Sequence, residues 1–168
     1  MKKASVARIV GFALLAGMWA APAKAARSGD QGIGLMVGNP SGLTWKMFLD
    51  DHLALDAALG VDQGDFDVHA TLLYHDFDLF KRSPAFADLT NQGDLGLYFG
   101  IGPRELFAHD SEFCLRLPVG VNYLPHSEPY ELFVELAPVI RFNPSSGMDF
   151  DYAIGARYYF PAIRPQSH

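Results

Sequence analysis

Residues 66–77, which read FDVHATLLYHDF, alternate between apolar and polar or small side chains. One face of the segment carries Phe66, Val68, Ala70, Leu72 and Tyr74, and the other carries Asp67, His69, Thr71, Leu73 and His75. Successive side chains of a β-strand point to opposite faces of the sheet, so a two-residue period predicts a strand. The segment therefore predicts a β-strand with one face that is almost entirely apolar.

The same alternation recurs along the chain and indicates an all-β protein. The seven further segments are residues 32–38, 42–49, 53–61, 94–102, 112–121, 131–142 and 149–160. Turn-forming residues separate several of these segments, as in Asn39-Pro40-Ser41 and Asp62-Gln63-Gly64-Asp65. Short connections join antiparallel neighbours, and an antiparallel meander of this size can close on itself. We therefore predict an eight-stranded antiparallel up-and-down β-barrel.

The volumes of the two faces indicate which one lies inside the barrel. An eight-stranded barrel has a lumen that the side chains of its own wall fill. The apolar face carries four or five large residues on nearly every strand, whereas the opposite face is rich in Gly, Ala, Thr and Ser. We therefore predict an apolar exterior, which requires a lipid bilayer, and hence a transmembrane β-barrel. Aromatic residues near the strand ends, such as Trp45, Tyr74 and Phe150, fit the interfacial girdles of such barrels.

Charged residues of both signs lie on the predicted inner face. A buried charge is tolerated when a group of opposite charge pairs with it. We predict a structural network that plugs the lumen and consists of Lys46, Asp56, Asp67, Arg116, Glu135, Arg141, Asp151 and Arg157. The alternative is that these side chains are separate from one another and solvated.

The first 25 residues have the pattern of a cleaved secretory signal peptide. Basic residues begin the chain, an uncharged apolar run follows from Ile9 to Ala21, and Ala23-Lys24-Ala25 places small residues at a cleavage point. The barrel would then occupy residues 32–160, between a short N-terminal segment at 26–31 and a tail at 161–168. Long connections are expected at 78–93 and 122–130.

Removal of the signal peptide makes the chain more acidic. The remaining chain keeps 9 of its 13 basic residues and all 19 acidic residues, for a net charge of about −10. This charge argues against a nucleic-acid partner, since phosphate binding needs clustered Lys and Arg. The single cysteine, Cys114, excludes an internal disulfide and is interpreted as a small apolar filler.

Several stretches together resemble a family of small outer-membrane β-barrel proteins of unknown function, in the barrel style of OmpA and OmpX. They are GNPSGLTWKMFLDDHLALDAALG (38–60), HATLLYHDFDLF (69–80), LYFGIG (97–102), LRLPVGVNYL (115–124), ELFVELAPVIRF (131–142) and GARYYF (155–160). The resemblance implies an eight-stranded barrel in the outer membrane of a Gram-negative cell, and it brings no catalytic residues. The implied partners are outer-membrane lipid and lipopolysaccharide, with periplasmic chaperones and the barrel-assembly machinery during transit.

Candidate reactive groups have simpler explanations. His75 and Asp76 are adjacent on a strand, so they point to opposite faces and do not form a metal site. His126 and Ser127 lie in a proline-flanked loop without the third group that would orient a catalytic histidine. We therefore expect no metal, no cofactor and no catalysis.

The leading hypothesis is an outer-membrane barrel with a plugged lumen and a structural or surface-interaction role. An extracellular protein partner is left open. The first alternative is a soluble periplasmic barrel of lipocalin type, with its apolar face turned inward around a lipid or another apolar ligand. The second alternative is a barrel enzyme that modifies lipid.

Overall fold

The computed structural model describes residues 28–107, 111–143 and 146–160, and most of them lie in one antiparallel sheet. The strands are β1 (Gln31–Asn39), β2 (Ser41–Phe48), β3 (Leu53–Asp62), β4 (Asp65–Asp76), β5 (Gly93–Phe107), β6 (Glu112–Arg116), β7 (Val119–Pro125), β8 (Tyr130–Asn143) and β9 (Gly147–Phe160). Between β4 and β5 lie two short 3-10 helices, Phe80–Arg82 and Pro84–Phe86, and helix α1 (Ala87–Gln92). No helix within these described ranges is long and apolar enough to cross a membrane. The predicted signal peptide at 1–25 and tail at 161–168 lie outside the described residues.

The sheet closes into a ring because its first and last strands pair with each other. Strand β1 pairs with β2 on one side and with β9 on the other, where Gln31 lies opposite Phe160. Strand β4 pairs with β5 in the same antiparallel manner, and β8 pairs with β9. A closed ring has no edge strand with a row of unpaired backbone groups. The prediction of an all-β, antiparallel, up-and-down fold is therefore confirmed.

The predicted count of eight strands is wrong, since the described residues form nine. The segment predicted as one strand at 112–121 is divided into β6 and β7, with Leu117 and Pro118 between them. Proline has no backbone N–H to donate to a neighbouring strand. Strands β6 and β7 follow each other between β5 and β8, and both pair with those two neighbours. The Pro118 carbonyl still accepts a 2.9 Å hydrogen bond from the Gly100 N–H, so the interruption is local.

The structure also corrects the predicted connections. Strand β7 continues to Pro125 and β8 begins at Tyr130, so the connection is residues 126–129 rather than 122–130. Strand β5 passes through Pro103 and ends at Phe107, five residues beyond its predicted end at 102. Residues 78–93, whose conformation the sequence leaves open, contain the short helices described above.

The barrel has two distinct ends. We call the end where β1 begins and β9 finishes the terminal end, and the opposite one the turn end. At the turn end, Gln63 and Gly64 alone connect β3 to β4, with φ angles of 50° and 105°. Two-residue hairpins of this kind need positive φ at their central positions, which glycine adopts without steric cost. Asp62 and Asp65 lie opposite each other at the base of this hairpin.

Apolar side chains pack inside the barrel toward the terminal end. Phe48, the last residue of β2, lies 5.9 Å from Tyr159 and 5.2 Å from His75 between ring centroids. Leu73 and Leu124 are buried in the same cluster. Glycines on the inner wall leave room for these large rings. A Cβ atom on Gly155 would lie 2.4 Å from the Phe133 ring, too close for any real contact.

Candidate functional site

Charged side chains are concentrated in the interior of the barrel and almost completely removed from solvent. Lys46 and Glu131 are 0% exposed, and Arg157 is 3% exposed. Each lies at an inward position of its strand, between outward-facing apolar neighbours. Because a buried charge is costly without a partner, the pairing of these groups decides whether the interior is stable.

The first group of charges, which we call the Glu131 cluster, is centred on a single carboxylate. Glu131 Oε1 accepts hydrogen bonds from Lys46 Nζ at 2.6 Å and from Asn122 Nδ2 at 2.8 Å. Glu131 Oε2 accepts from Arg157 Nη1 and from Tyr159 Oη, both at 3.0 Å. Both carboxylate oxygens are therefore fully engaged, and their donors come from β2, β7 and β9.

Arg157 extends the Glu131 cluster across the lumen. Its Nη2 donates to Asp56 Oδ1 at 2.7 Å, and its Nε donates to Thr44 Oγ1 at 3.0 Å. The guanidinium carbon lies 4.0 Å from the centroid of the Phe133 ring, a cation–π geometry. One arginine thus joins the walls formed by β2, β3 and β8.

The second group, which we call the Arg104 cluster, lies nearer the turn end. Arg104 donates to Asp62, Asp67 and Asp151, the last of these at 3.0 Å. Asp151 Oδ2 also accepts from Arg116 Nε at 2.9 Å, which ties a second guanidinium to the same carboxylate.

The Arg104 cluster continues through Arg116 and Asp67. Arg116 Nη2 donates to Glu135 Oε1 at 2.5 Å. Asp67 Oδ1 lies 2.9 Å from His69 Nδ1, so the His–Asp pair belongs to this ion network.

Tyr98 joins the two clusters. Its hydroxyl donates to Glu135 Oε2 at 2.9 Å, in the Arg104 cluster. Its ring lies 5.4 Å from Lys46 Nζ, in the Glu131 cluster. Together the two clusters form a plug of salt bridges between the apolar packing at the terminal end and the turn end of the barrel.

The structure places seven of the eight predicted network residues at buried positions: Lys46, Asp56, Asp67, Arg116, Glu135, Asp151 and Arg157. Arg141 differs, because it lies at the rim of the turn end with 26% of its side chain exposed. There it pairs with Glu112 at 2.9 Å and with Asp149 at 3.4 Å, away from both clusters. The expectation that Arg141 joins the inner network is therefore corrected by its position near the end of β8.

Three charged members of the network were missed from the sequence: Arg104, Glu131 and Asp62. Arg104 follows the predicted strand end at 102, yet it stays in phase with Gly102 on the inner face. Glu131 shares an inner face with Phe133 and Glu135, and the alternation alone identifies that position. Asp62 was assigned to a turn, although it is the last residue of β3.

The candidate reactive groups lie apart from one another. His126 Nε2 lies 3.5 Å from Asp94 Oδ2 at the terminal end, and the His126 side chain is 48% exposed. Cys114 is a free, buried thiol opposite Arg104 in the β5–β6 register. Within the described ranges, no group of three or more His, Cys, Asp or Glu side chains is arranged to hold a metal ion.

We compared the chain with known protein families, with curated proteins and with solved structures. None of these comparisons found a match. The resemblance to small outer-membrane barrels therefore stays a prediction, and any function must be argued from the geometry of the barrel itself.

Proposed function

We propose that this chain is an integral outer-membrane β-barrel with a plugged lumen and a structural or surface-interaction role. The observation that carries the proposal is that the charged side chains lie inside the barrel and the apolar side chains lie outside, the reverse of a soluble protein. The interior holds the Glu131 and Arg104 clusters, while Val37, Val134 and Ile154 are 67%, 57% and 61% exposed on the outside. A contiguous apolar exterior of this extent is stable in hydrocarbon and unstable in water.

The dimensions of the exterior support the same proposal. Outward-facing Phe150 and Phe160 lie ten residues apart on β9. Ten residues of strand span about 33 Å, or about 25 Å along the barrel axis at a tilt of about 40°. An apolar band of about 25 Å flanked by aromatic residues is typical of outer-membrane barrels. Pairs of outward aromatics lie near both ends, such as Phe66 with Phe107 at the turn end and Tyr74 with Phe99 toward the terminal end.

The plugged lumen supports an anchoring or surface role over conduction. An ion crossing the barrel would have to separate Lys46 from Glu131 and Arg116 from Glu135, whose side chains are at most 7% exposed. Each such separation leaves a buried charge without its partner, which costs several kcal/mol. The barrel is therefore proposed as an anchor whose rims are available to other molecules.

The alternatives receive less support. A soluble lipocalin-like barrel in the periplasm needs its apolar face turned inward around a ligand, and Leu72 and Val134 are 45% and 57% exposed instead. A lipid-modifying enzyme needs a nucleophile and an oriented base within hydrogen-bond reach. The exposed His126 faces a carboxylate, Asp94, at 3.5 Å, which gives it no nucleophile to activate.

The proposal implies lipid partners. Outer-membrane phospholipid and lipopolysaccharide would cover the apolar band, and periplasmic chaperones and the barrel-assembly machinery would handle the chain in transit. Its acidic composition gives no support for a nucleic-acid partner.

Fractionation of cells that express the full chain tests the proposal. We expect the protein in outer-membrane fractions of a density gradient, resistant to carbonate extraction. We also expect an unheated sample to migrate differently from a boiled one on a denaturing gel, because a closed barrel resists detergent unfolding. Recovery in the osmotic-shock fraction, soluble without detergent, would contradict the proposal and favour the periplasmic alternative.

A further inference from the structure

The connection between β4 and β5 at the terminal end, residues 78–92, exposes apolar side chains that the barrel does not cover. We call it the rim segment. None of its residues is buried, and Leu79, Phe86 and Leu89 are 43%, 37% and 46% exposed. The lumen is filled by other residues, among them Phe77, which precedes the segment and packs against the inner apolar cluster. An apolar patch left exposed on one short segment indicates a contact with something outside the chain.

The rim segment lies against the outer side of the barrel wall. Leu95, near the start of β5, occupies an outward position in phase with Phe99 and Ile101. Phe99 and Ile101 are 51% and 52% exposed, whereas Leu95 is 7% exposed and does not belong to the inner apolar cluster of the described residues. Helix α1 and the 3-10 helix Phe80–Arg82 both contact β5. These helices account for the cover over Leu95, so the segment adjoins the apolar exterior rather than the lumen.

The rim segment is attached at the edge of the apolar band. It follows the last residue of β4, and the outward rings of Tyr74 on β4 and Phe99 on β5 lie 5.5 Å apart beside it. In outer-membrane barrels, outward aromatic side chains near the strand ends lie where acyl chains meet head groups. A segment that leaves the wall next to such a pair and packs on its outer side is therefore held at the depth of the head groups.

Two adjacent exposed cations, Lys81 and Arg82, lie among the exposed apolar side chains. Lys81 Nζ is 3.3 Å from Asp78 Oδ1, but the two side chains are 46% and 65% exposed, so this ion pair is weak. Within the described ranges, Arg82 has no ion-pair partner. The remaining Lys and Arg side chains of those ranges pair with carboxylates inside the barrel or at the turn end: Lys46, Arg104, Arg116, Arg141 and Arg157. The cations that can reach a partner outside the chain are thus those of the rim segment.

Exposed apolar side chains beside exposed cations match the boundary of a phospholipid leaflet, where acyl chains meet phosphate groups. Asp78 and Asp88 balance the charges of Lys81 and Arg82 within the segment. The match is therefore to the phosphate that every glycerophospholipid carries, and it does not require a leaflet of net negative charge.

We propose that the rim segment lies in the head-group region of the leaflet at the terminal end and binds glycerophospholipids there. Leu79, Phe86 and Leu89 contact acyl chains, and Lys81 and Arg82 bind lipid phosphates. The inference rests on the proposed outer-membrane function. It adds to that function a lipid-binding surface, the leaflet that this surface contacts and the chemical group that it recognises.

Spin labelling of the full chain in phosphatidylcholine vesicles tests the inference. The background is Cys114→Ala, because Cys114 is the only cysteine in the sequence. A nitroxide is attached at Leu79→Cys or at Leu89→Cys, and its collisions with oxygen, which concentrates in the bilayer, are compared with those with a water-soluble nickel chelate. Val134→Cys, midway along β8, is the hydrocarbon reference, and Gln63→Cys in the turn-end hairpin is the water reference. Heat-modifiable migration on a gel shows that each labelled variant is folded.

We expect the ratio of oxygen to nickel collisions at Leu79→Cys and Leu89→Cys to lie between the two references, because head groups separate water from hydrocarbon. A ratio at both rim positions equal to that at Gln63→Cys would overturn the inference. If Val134→Cys meanwhile reports hydrocarbon, the proposed membrane function stands and the rim segment has another partner. A folded barrel in which Val134→Cys reports water would overturn both the membrane function and the inference.

A second set of variants tests the contact with phosphate. With the label at Leu89→Cys, the double change Lys81→Gln and Arg82→Gln should shift the collision ratio toward the water reference. The control is Asp51→Asn, which also changes the charge of the terminal end but lies in the exposed turn after β2. Phosphatidylcholine has no net charge, so a general attraction to an anionic surface does not contribute. An unchanged ratio in the glutamine variant, or an equal shift in Asp51→Asn, would overturn the assignment of these cations to lipid phosphate.

Discussion

Glu131 on β8 lies directly opposite Arg157 on β9, and Arg157 Nη1 donates to Glu131 Oε2 over 3.0 Å. Both side chains are at most 3% exposed, so neither charge is compensated by solvent. Arg157 also carries the contacts to Asp56 and Thr44 on the far wall. Through this pair and the other contacts of Arg157, strand β9 is tied to β8 and to the far wall of the barrel.

Replacement of Arg157 should destabilise the barrel strongly. Arg157→Met leaves Asp56 buried without a guanidinium, and among the described residues Glu131 then keeps one cationic partner, Lys46. Removal of one partner of a buried ion pair costs about 3–5 kcal/mol. The free energy of unfolding, measured by urea titration in lipid vesicles, should fall by that amount. Arg116→Met should have a similar effect, because it leaves Glu135 and Asp151 short of a partner.

The matched control for these variants is Arg141→Met at the rim. Its side chain is 26% exposed and its partners are reached by solvent, so the loss should be much smaller than that for Arg157→Met. Equal losses for Arg141→Met and Arg157→Met would show that the inner clusters are not energetically distinct from a surface salt bridge.

The free-energy cost of a charge on the outer face should depend on how deep in the bilayer the charge lies. Val134 pairs with Ile154 midway along β8 and β9, whereas Met148 is the second residue of β9. If the band lies in a bilayer, Val134→Arg should cost about 2–4 kcal/mol and Met148→Arg at most about 1 kcal/mol. Unfolding in lipid vesicles measures both values. A soluble barrel would show little loss for either variant, since both side chains are more than half exposed.

Glycine at position 155 should be required for packing of the interior. A Cβ atom there would meet the Phe133 ring at 2.4 Å and the Leu35 carbonyl oxygen at 2.6 Å. Gly155→Ala should therefore destabilise the barrel by about 1–3 kcal/mol, as overpacking does. Gly147→Ala on the same strand is the control, because its nearest neighbour, at 2.8 Å, is the flexible end of Arg141. The thermal midpoints of the two variants should differ clearly, with Gly147→Ala near the unsubstituted protein.

The turn that follows β2 should contribute stability that depends on pH. Asp50 Oδ1 accepts hydrogen bonds from the backbone N–H groups of His52 and Leu53, both at 2.7 Å. These donors favour the ionised form and hold the pKa of Asp50 below its ordinary value of 3.8. A carboxylate with a depressed pKa stabilises the folded state above its unfolded pKa, and that contribution is lost as the pH falls through the folded pKa.

Comparison with Asp50→Asn isolates this contribution, because the amide does not titrate. The difference in unfolding free energy between the two proteins should be constant above the ordinary pKa of 3.8. Below that pH it should shrink, because the unfolded chain then binds a proton that the folded carboxylate resists. A difference that stays constant throughout acid titration would contradict the role given to the two backbone donors.

Much of the fold and of the interior was predictable, because both depend on a two-residue period. Once residues 66–77 are read as a strand, each of its residues is assigned to one face of the sheet, and Asp67 must share a face with His69. The same argument gives Lys46 and Arg157 as inward residues. The alternation can be read from each strand by itself. It therefore shows on which face of the sheet a side chain lies before any contact between strands is known.

The pairings inside the lumen could not be predicted in the same way. Lys46 meets Glu131 from a strand 85 residues away, and that contact depends on strand tilt and on how the ring closes. Prolines account for two further errors. Pro103 lies inside β5, where the sequence suggested an end, and Pro118 divides a segment that the alternation alone would join. Proline removes one backbone N–H donor from the strand. Whether the strand continues past it depends on the pairing with the neighbouring strands.

The junction between β1 and β9 has a consequence for biogenesis. Strand β1 is the first of the described strands to be made, but the partner for its second edge is the last of them, Gly147–Phe160. Until β9 is available the ring cannot close, and both margins of any sheet that forms earlier stay open to pairing with other strands. Only the fourteen residues of β9 close the cylinder, so a partial chain that lacks them exposes two unpaired strand edges.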